Sequence, residues 1–291
     1  MIIKQFPIKI CRKTFSTEDL KIVKSIIINN PKVHRNELSR IICKEFEWIS
    51  ANGKLKEMSC KVAMLKLHRA GLIQLPSPIH PNVNGSKLKV TSISEPCFPI
   101  NKPITELEEI QINPVDNKTD SRLWNELIER YHYLGYKPLP GAQIRYLVSC
   151  KEGYLSAIGF SASAWKVAPR DKWIGWTKEQ REKELHLIVN NSRFLILPWV
   201  NVKHLASKIL AMCSKRILSD WFTIYAYRPV LLETFVERDR FKGTCYRAAN
   251  WIYVGETQGR GKKDTHYLYS LPIKDIWMYP LVKDFRERLK I

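Results

Sequence analysis

The chain has 291 residues, 45% of them hydrophobic and 26% charged, which excludes wholesale disorder and leaves room for two domains. Lys and Arg outnumber Asp and Glu by 48 to 28, and the net charge of +20 is spread along the chain rather than gathered in a tail. Such a surface points to a polyanionic partner, nucleic acid first, against the plainer alternative of a basic but ordinary soluble protein. The seven cysteines show no CxxC or Cys/His spacing for zinc, so they read as reduced thiols and no metal site is expected. No signal peptide and no apolar run near the roughly 20 residues of a membrane span is visible, which predicts a cytoplasmic protein without a membrane partner.

Residues 1–14 read as an apolar–basic lead, an extended arm. Ser16 followed three residues later by Asp19 approximates a capping box for a first helix, with Leu20, Val23, Ile26 and Ile27 at helical spacing. A second helix is predicted over 35–46 and a third over 57–70, the latter with Met58, Val62, Leu65 and Leu67 inward and Gly71 at its C′ position. Residues 72–76 then read as a short strand. Three helices and a strand is the order of a winged helix-turn-helix, and Lys54, Lys56, Lys61, Lys66, His68 and Arg69 give the third helix a basic outer face. Lys61 and Arg69 are candidate phosphate contacts in a major groove. A helical domain with a solvated basic face, or a protein-docking module, fits the same pattern. This winged-helix-like module spans 1–76, and six prolines from Pro78 to Pro114 mark 77–120 as a linker.

The second domain, 121–291, opens with a helix whose stripe is Leu123, Trp124, Leu127 and Ile128, with Glu126, Glu129 and Arg130 outward. A hairpin is predicted over 143–150 and 154–162. An aromatic–basic loop follows over 165–176, then a short charged helix capped by Thr177. The run 185–197 reads as a long strand interrupted by Asn190-Asn191-Ser192-Arg193, with an amphipathic helix after it from 202 to 218. Strands at 229–236, 251–254 and around 273–281 complete an α+β domain.

Chemical candidates concentrate in this half. Glu129 and His132 end one helix and form a possible acid–base pair, or a packed helix terminus. Glu233 lies inside an apolar strand, either aimed into a cleft with Arg247 or Arg193 as partner, or outward on an edge. Tyr246, Arg247 and Asn250 fall about one helical turn apart and either converge on a ligand or serve the core and a cap. Tyr246 joins Glu129, His132 and Glu233 as a catalytic candidate. Lys166 and Arg170, among Trp165, Trp173 and Trp176, and Arg260, Lys262 and Lys263, in a glycine-rich loop, suit a nucleic-acid backbone. Glu233, Glu237 and Asp239, near one strand end, are the nearest approach to a metal-dependent nuclease site.

The runs WNELIERYHYLGY, FLILPWVNVKHLAS, PVLLETFV and FKGTCYRAANWIYVGETQGRG, spread over 121–281, resemble the DruA family. That family occurs in Druantia anti-phage defence systems and as the N-terminal part of some insertion-sequence transposases. The expectation here is the stand-alone defence form. The element order is also similar to GNAT acyltransferases and to the Mom DNA-modification proteins, the latter through His132, Tyr133, Gly243, Thr244, Tyr246, Ala248, Asn250, Trp251, Tyr253 and Gly255. GNAT enzymes hold the cofactor pyrophosphate on a glycine-rich turn before the central helix. Residues 199–206 contain no glycine, so ordinary acetyl-CoA binding is not implied, and the cofactor is left unknown. The resemblance implies a nucleic-acid-binding defence component whose partner is single- or double-stranded DNA. The alternatives are an enzyme acting on DNA, either a base-modifying transferase or a nuclease, and a scaffold that recruits a helicase.

Overall fold

The structure is a computed structural model and describes residues 7–50, 53–78, 88–259 and 271–291. The chain divides into two compact units, Met1–Ser86 and Lys87–Ile291. The first begins with an antiparallel hairpin, β1 (Ile8–Ile10) and β2 (Lys13–Phe15), where an extended arm was expected. Three helices follow, α1 (Thr17–Asn29), α2 (Arg35–Glu45) and α3 (Glu57–Arg69). The capping box is present: the Asp19 N–H donates to Ser16 Oγ at 3.1 Å, and the Ser16 N–H donates to Asp19 Oδ2 at 2.7 Å. Phe15 centres the core, edge-on to Phe46 and Trp48.

Two details of this unit depart from expectation. Residues 72–76 form no strand, so the helices are preceded rather than followed by a hairpin among the described residues. Helix α3 buries Cys60, Ala63, Met64 and Leu67, and leaves Met58 and Val62 exposed. Both sets have helical spacing. Leu67 is inward as expected, but the rest of the buried face is made by smaller or less branched residues that a reading weighted to large side chains passes over in favour of Met58 and Val62.

The second unit is a seven-stranded mixed sheet flanked by helices. Its elements are β3 (Gln111–Pro114), α4 (Lys118–Tyr131), β4 (Gln143–Cys150), β5 (Gly153–Ala162), α5 (Ala168–Ile174), α6 (Lys178–Glu184), β6 (Ile188–Ile196), α7 (Leu205–Tyr225), β7 (Leu231–Glu237), α8 (Thr244–Ala248), β8 (Ile252–Glu256), β9 (Lys274–Pro280) and α9 (Phe285–Leu289). The strands lie in the order β3-β4-β5-β6-β7-β9-β8. The pair β6–β7 is parallel and the other neighbours are antiparallel. Trp124 of α4 is buried against the sheet, donating its indole N–H to Ile158 O at 3.2 Å. Gly159 makes this approach possible, because a Cβ there would sit 2.9 Å from the Trp124 ring.

Much of the expected linker is part of this unit. β3 pairs along β4, and Ile100, Leu107 and Ile112 are in the core. The prolines interrupt periodicity without preventing burial, and Pro114 sits at an edge strand, where a missing N–H costs no ladder bond. Glu126, expected on the surface, is fully buried. It accepts from the Thr91 N–H at 2.8 Å, the Ser94 hydroxyl at 3.1 Å and Arg122 Nε at 2.9 Å, pinning residues 91–94 to α4. The backbone and hydroxyl donors and Arg122 outweigh burial and hold the Glu126 carboxyl below its ordinary range. Glu126→Ala leaves these donors without an acceptor and should lower stability by about 1–3 kcal/mol in urea denaturation; an unchanged midpoint would contradict the anchoring role.

Candidate functional site

β6 and β7 pair from Ile188↔Leu231 only as far as Asn191↔Thr234, although β6 continues to Ile196 and β7 to Glu237. Beyond the last pair the two strands part, and a cleft of about 580 Å³ opens between them. Its walls are residues 190–196 of β6, 234–236 of β7, the end of α4, the start of α8, and Lys274 of β9. A bulge marks where the strands diverge: Gly159 pairs with Arg193 and Phe160 with Asn191, so Ser192 is the extra residue. Asn191 Nδ2 braces the bulge by donating to Gly159 O at 3.2 Å and Arg193 O at 3.1 Å.

Tyr246 closes the back of the cleft. Its hydroxyl donates to Asn191 Oδ1 at 2.8 Å, while Thr234 Oγ1 donates to Asn191 O at 3.0 Å. Burial pushes the phenol pKa upward, so this hydroxyl stays protonated and committed to Asn191. The turn into α8 needs Gly243, whose φ is +66° and whose Cβ would meet the Trp277 ring at 2.9 Å.

His132 also lines the cleft, stacked on Tyr133 at 4.8 Å. Burial first, then the charges of Arg193 and Lys274, lower its pKa to about 4. It is therefore neutral near pH 7, and its Nδ1 accepts the Leu134 N–H at 3.2 Å, which leaves the ring proton on Nε2.

The charges in the lining are all positive. Among the described residues Arg193, Lys242 and Lys274 contribute to the walls, and no Asp or Glu does. Among the described residues none of the three cations makes an ion pair. Arg193 Nη1 donates to Ser192 O at 2.7 Å, but its Nε and Asn190 Oδ1 have no hydrogen-bond partner within the described residues. Aromatic rings complete the walls, with Tyr133 and Phe241 in contact at 5.4 Å. This arrangement accepts an anion that also carries a flat apolar group.

Of the catalytic candidates, His132 and Tyr246 meet in this cleft, and Glu129 and Glu233 do not. Glu129 is exposed and accepts the Tyr136 N–H at 2.7 Å, closing the loop through Gly135. Glu233 is fully buried and paired not with Arg247 or Arg193 but with Arg170, itself fully buried, at 2.9 Å. Arg170 also binds Asp171 and Ala164 O, so it is a core residue and not a nucleic-acid contact. Glu237 is bonded to Arg240 at 2.8 Å. Among the described residues no group of three or more His, Cys, Asp or Glu side chains is placed to hold a metal. Trp176 is buried and Trp173 stacks on Phe285, leaving Trp165 and Lys166 exposed.

Arg247 and Asn250 turn away from the cleft. Asn250 is exposed at φ +62°, in the left-handed conformation that ends α8. Arg247 lies over Trp277 and lines a shallow ledge with Arg238, Lys242 and Tyr253. On α3, Lys61 lies 3.9 Å from Glu57 and Arg69 is exposed. Arg260, Lys262 and Lys263 lie outside the described residues. The sequence reading missed Asn191, Arg193 and Lys274 as lining. The available signal was the polar run 190–193 breaking an apolar strand, since a half-buried strand has no need of four polar residues in succession.

Two measurements separate these roles. NMR titration should find the His132 imidazole neutral down to about pH 4, with Arg193→Ala moving its midpoint toward the ordinary 6.5. Because the folded pKa is depressed, the unfolded chain takes up this proton first, and the stability it represents is lost as pH falls from 6.5 toward 4. Glu233→Ala removes one of the two carboxylates on Arg170 and the acceptor of the Ala164 N–H, and should cost about 1–3 kcal/mol in thermal or urea unfolding. A loss of function without a loss of stability would return Glu233 to the cleft chemistry.

No curated protein matches the chain. An aminoglycoside acetyltransferase solved in complex with coenzyme A is similar at 12% identity and TM-score 0.37, covering 61% of this chain and 98% of that one. A polyamine N-acetyltransferase of Drosophila melanogaster aligns at 7% identity and TM-score 0.36 over 59% of this chain and 100% of that one. An N-acetyltransferase from Staphylococcus aureus aligns at 9% identity and TM-score 0.34, covering 60% and 98%. The sequence pattern of the family described as Druantia protein DruA matches residues 66–270, most of the chain, and the protein belongs to that family.

Proposed function

We propose that this protein is a nucleic-acid-binding component of an anti-phage defence system, meeting DNA through the cleft between β6 and β7 and through the basic face of α3. The observation that carries this reading is the lining of the cleft, which among the described residues has three cations without ion pairs, no carboxylate and several aromatic rings, in a chain of net charge +20. Lys66 and Arg69, exposed on α3, supply the second contact, in a winged-helix manner. The ledge with Arg247 extends the positive surface beside the cleft.

The sheet is read as GNAT-like on its element order: helix, hairpin, long strand, helix, strand, short helix, strand. Coenzyme A does not fit as GNAT enzymes hold it. The turn before α7 has no glycine, and three of its donors are taken: Val200 N–H bonds Leu197 O, Asn201 N–H bonds Ile100 O, and Leu205 N–H bonds Val202 O. A second reading, a transferase acting on a DNA base, is favoured by one observation, the neutral His132 inside the cleft. A nuclease reading loses its carboxylate, since Glu233 is bound to Arg170.

Fluorescence anisotropy with labelled DNA over a salt series tests the main reading. Affinity should fall steeply with salt, and Arg193→Ala or Lys274→Ala should each weaken binding and reduce the slope by about 0.7–0.9, one phosphate contact. Salt-insensitive binding, or binding indifferent to both substitutions, would remove the cleft from the interface.

A further inference from the structure

The geometry points to a cleft that takes one unstacked nucleotide from a single strand or a locally opened duplex, with its phosphate on Arg193 and Lys274. This rests on the nucleic-acid reading above and narrows it to a substrate class. Size decides first. A volume of about 580 Å³ is that of a small-molecule pocket, whereas the major groove of a duplex is itself about 12 Å wide. A paired helix therefore touches only the rim, and whatever fills the space between the parted strands has left its stack.

The chemistry of the walls agrees with a nucleotide in particular. Phe241 is exposed and offers a ring face on which a base stacks, held in place by Tyr133, which is itself stacked on His132. Arg193 and Lys274 both line the cleft, so two positive charges face the same space. An anion without a ring leaves the aromatic wall unused, and an apolar ligand strands the cations.

The exit from the cleft also favours a strand over a free nucleotide. Lys242 lines both the cleft and the shallow ledge on its other side. There Tyr253 is 48% exposed, and the Arg247 guanidinium lies over Trp277 without a carboxylate partner among the described residues. Arg238 on the same ledge is already paired with Asp275 and Glu256. Arg247 and Tyr253 thus supply a phosphate contact and a stacking face for the neighbouring nucleotide, with Lys242 between.

Three probes of one sequence test this on the full chain: a single strand, a perfect duplex, and a duplex with one mismatch. Each carries a 5-iodouracil at the same position for photocrosslinking. The expected result is tighter binding of the single strand and the mismatch than of the perfect duplex, by roughly tenfold or more, since pairing must be broken to fill the cleft. Crosslinks should fall on Tyr133 or Phe241, and the preference should vanish in Arg193→Gln and in Lys242→Glu, the latter an exposed position unlinked to folding. Equal affinity for all three probes, still lost with salt and with Arg193→Gln, would overturn the single-nucleotide pocket and leave the nucleic-acid reading standing. Absence of binding to every probe at low salt would overturn both.

Discussion

The second unit depends on a single hydrogen-bonded junction, the one between Tyr246, Asn191 and Thr234. Two parallel strands that pair along their whole length bury their edges and leave no cleft. Here the ladder stops at Asn191↔Thr234, and the peptide groups beyond it need other partners. The bulge at Ser192 turns β6 away, Asn191 ties the bulge to β5, and the Tyr246 hydroxyl fixes Asn191 from the other side. Gly243 lets α8 start close enough to Trp277 to place Tyr246 there. The cleft is thus a product of one interrupted ladder whose loose ends are bonded to side chains.

Two arginines show how the same residue type divides between fold and site. Arg170 is fully buried and surrounded by Glu233, Asp171 and the Ala164 carbonyl, so its charge is compensated within the protein. Arg193 sits between β6 neighbours with one carbonyl bond, an unbonded Nε and no carboxylate in the cleft lining. A half-buried cation without a partner lowers stability, and burial does lower the Arg193 pKa. Structures retain such a group where a ligand completes it, which is why an unsatisfied charge in a cleft reads as function and a satisfied one as architecture.

The sequence made much of this legible, and its failures share a cause. Helix starts with local signals were readable: the Ser16–Asp19 box and the Thr177 cap are both formed. The hairpin of β4 and β5, the long strand β6 and the motif around Tyr246 were readable from alternation and glycine placement. What failed was any inference needing a partner distant in sequence. Glu126 and Arg170 look like surface charges until Thr91 and Glu233 are brought to them across 35 and 63 residues. Glu233 looked like a cleft residue for the mirror-image reason, since an apolar strand gives no sign of which cation it meets. Arg247 and Tyr246, adjacent in a five-residue helix, necessarily point to different sides, so one enters the core and the other the ledge.

The turn between β6 and α7 bears most directly on what the cleft is for. In a sheet of this order the N-terminus of the helix after the long strand is the natural anion site, because its free N–H groups and dipole point outward. In this chain Ile100 reaches in as a parallel bridge, accepting from Asn201 N–H and donating to Trp199 O, both at 2.9 Å. One donor of the turn, the Asn201 N–H, is thereby spent on the protein's own backbone. The cations that remain are on the other lip, on β6, β9 and the approach to α8. Among the described residues the cleft lining joins the side chains of Arg193, Lys274 and Lys242 to Ala206 in the first turn of α7. Side-chain cations and the N–H groups of a helix start both bind phosphate oxygens, the first as point charges or forks and the second through the aligned dipole. The two kinds of anion donor therefore face one space, and it is the parting of β6 from β7 that brings them together.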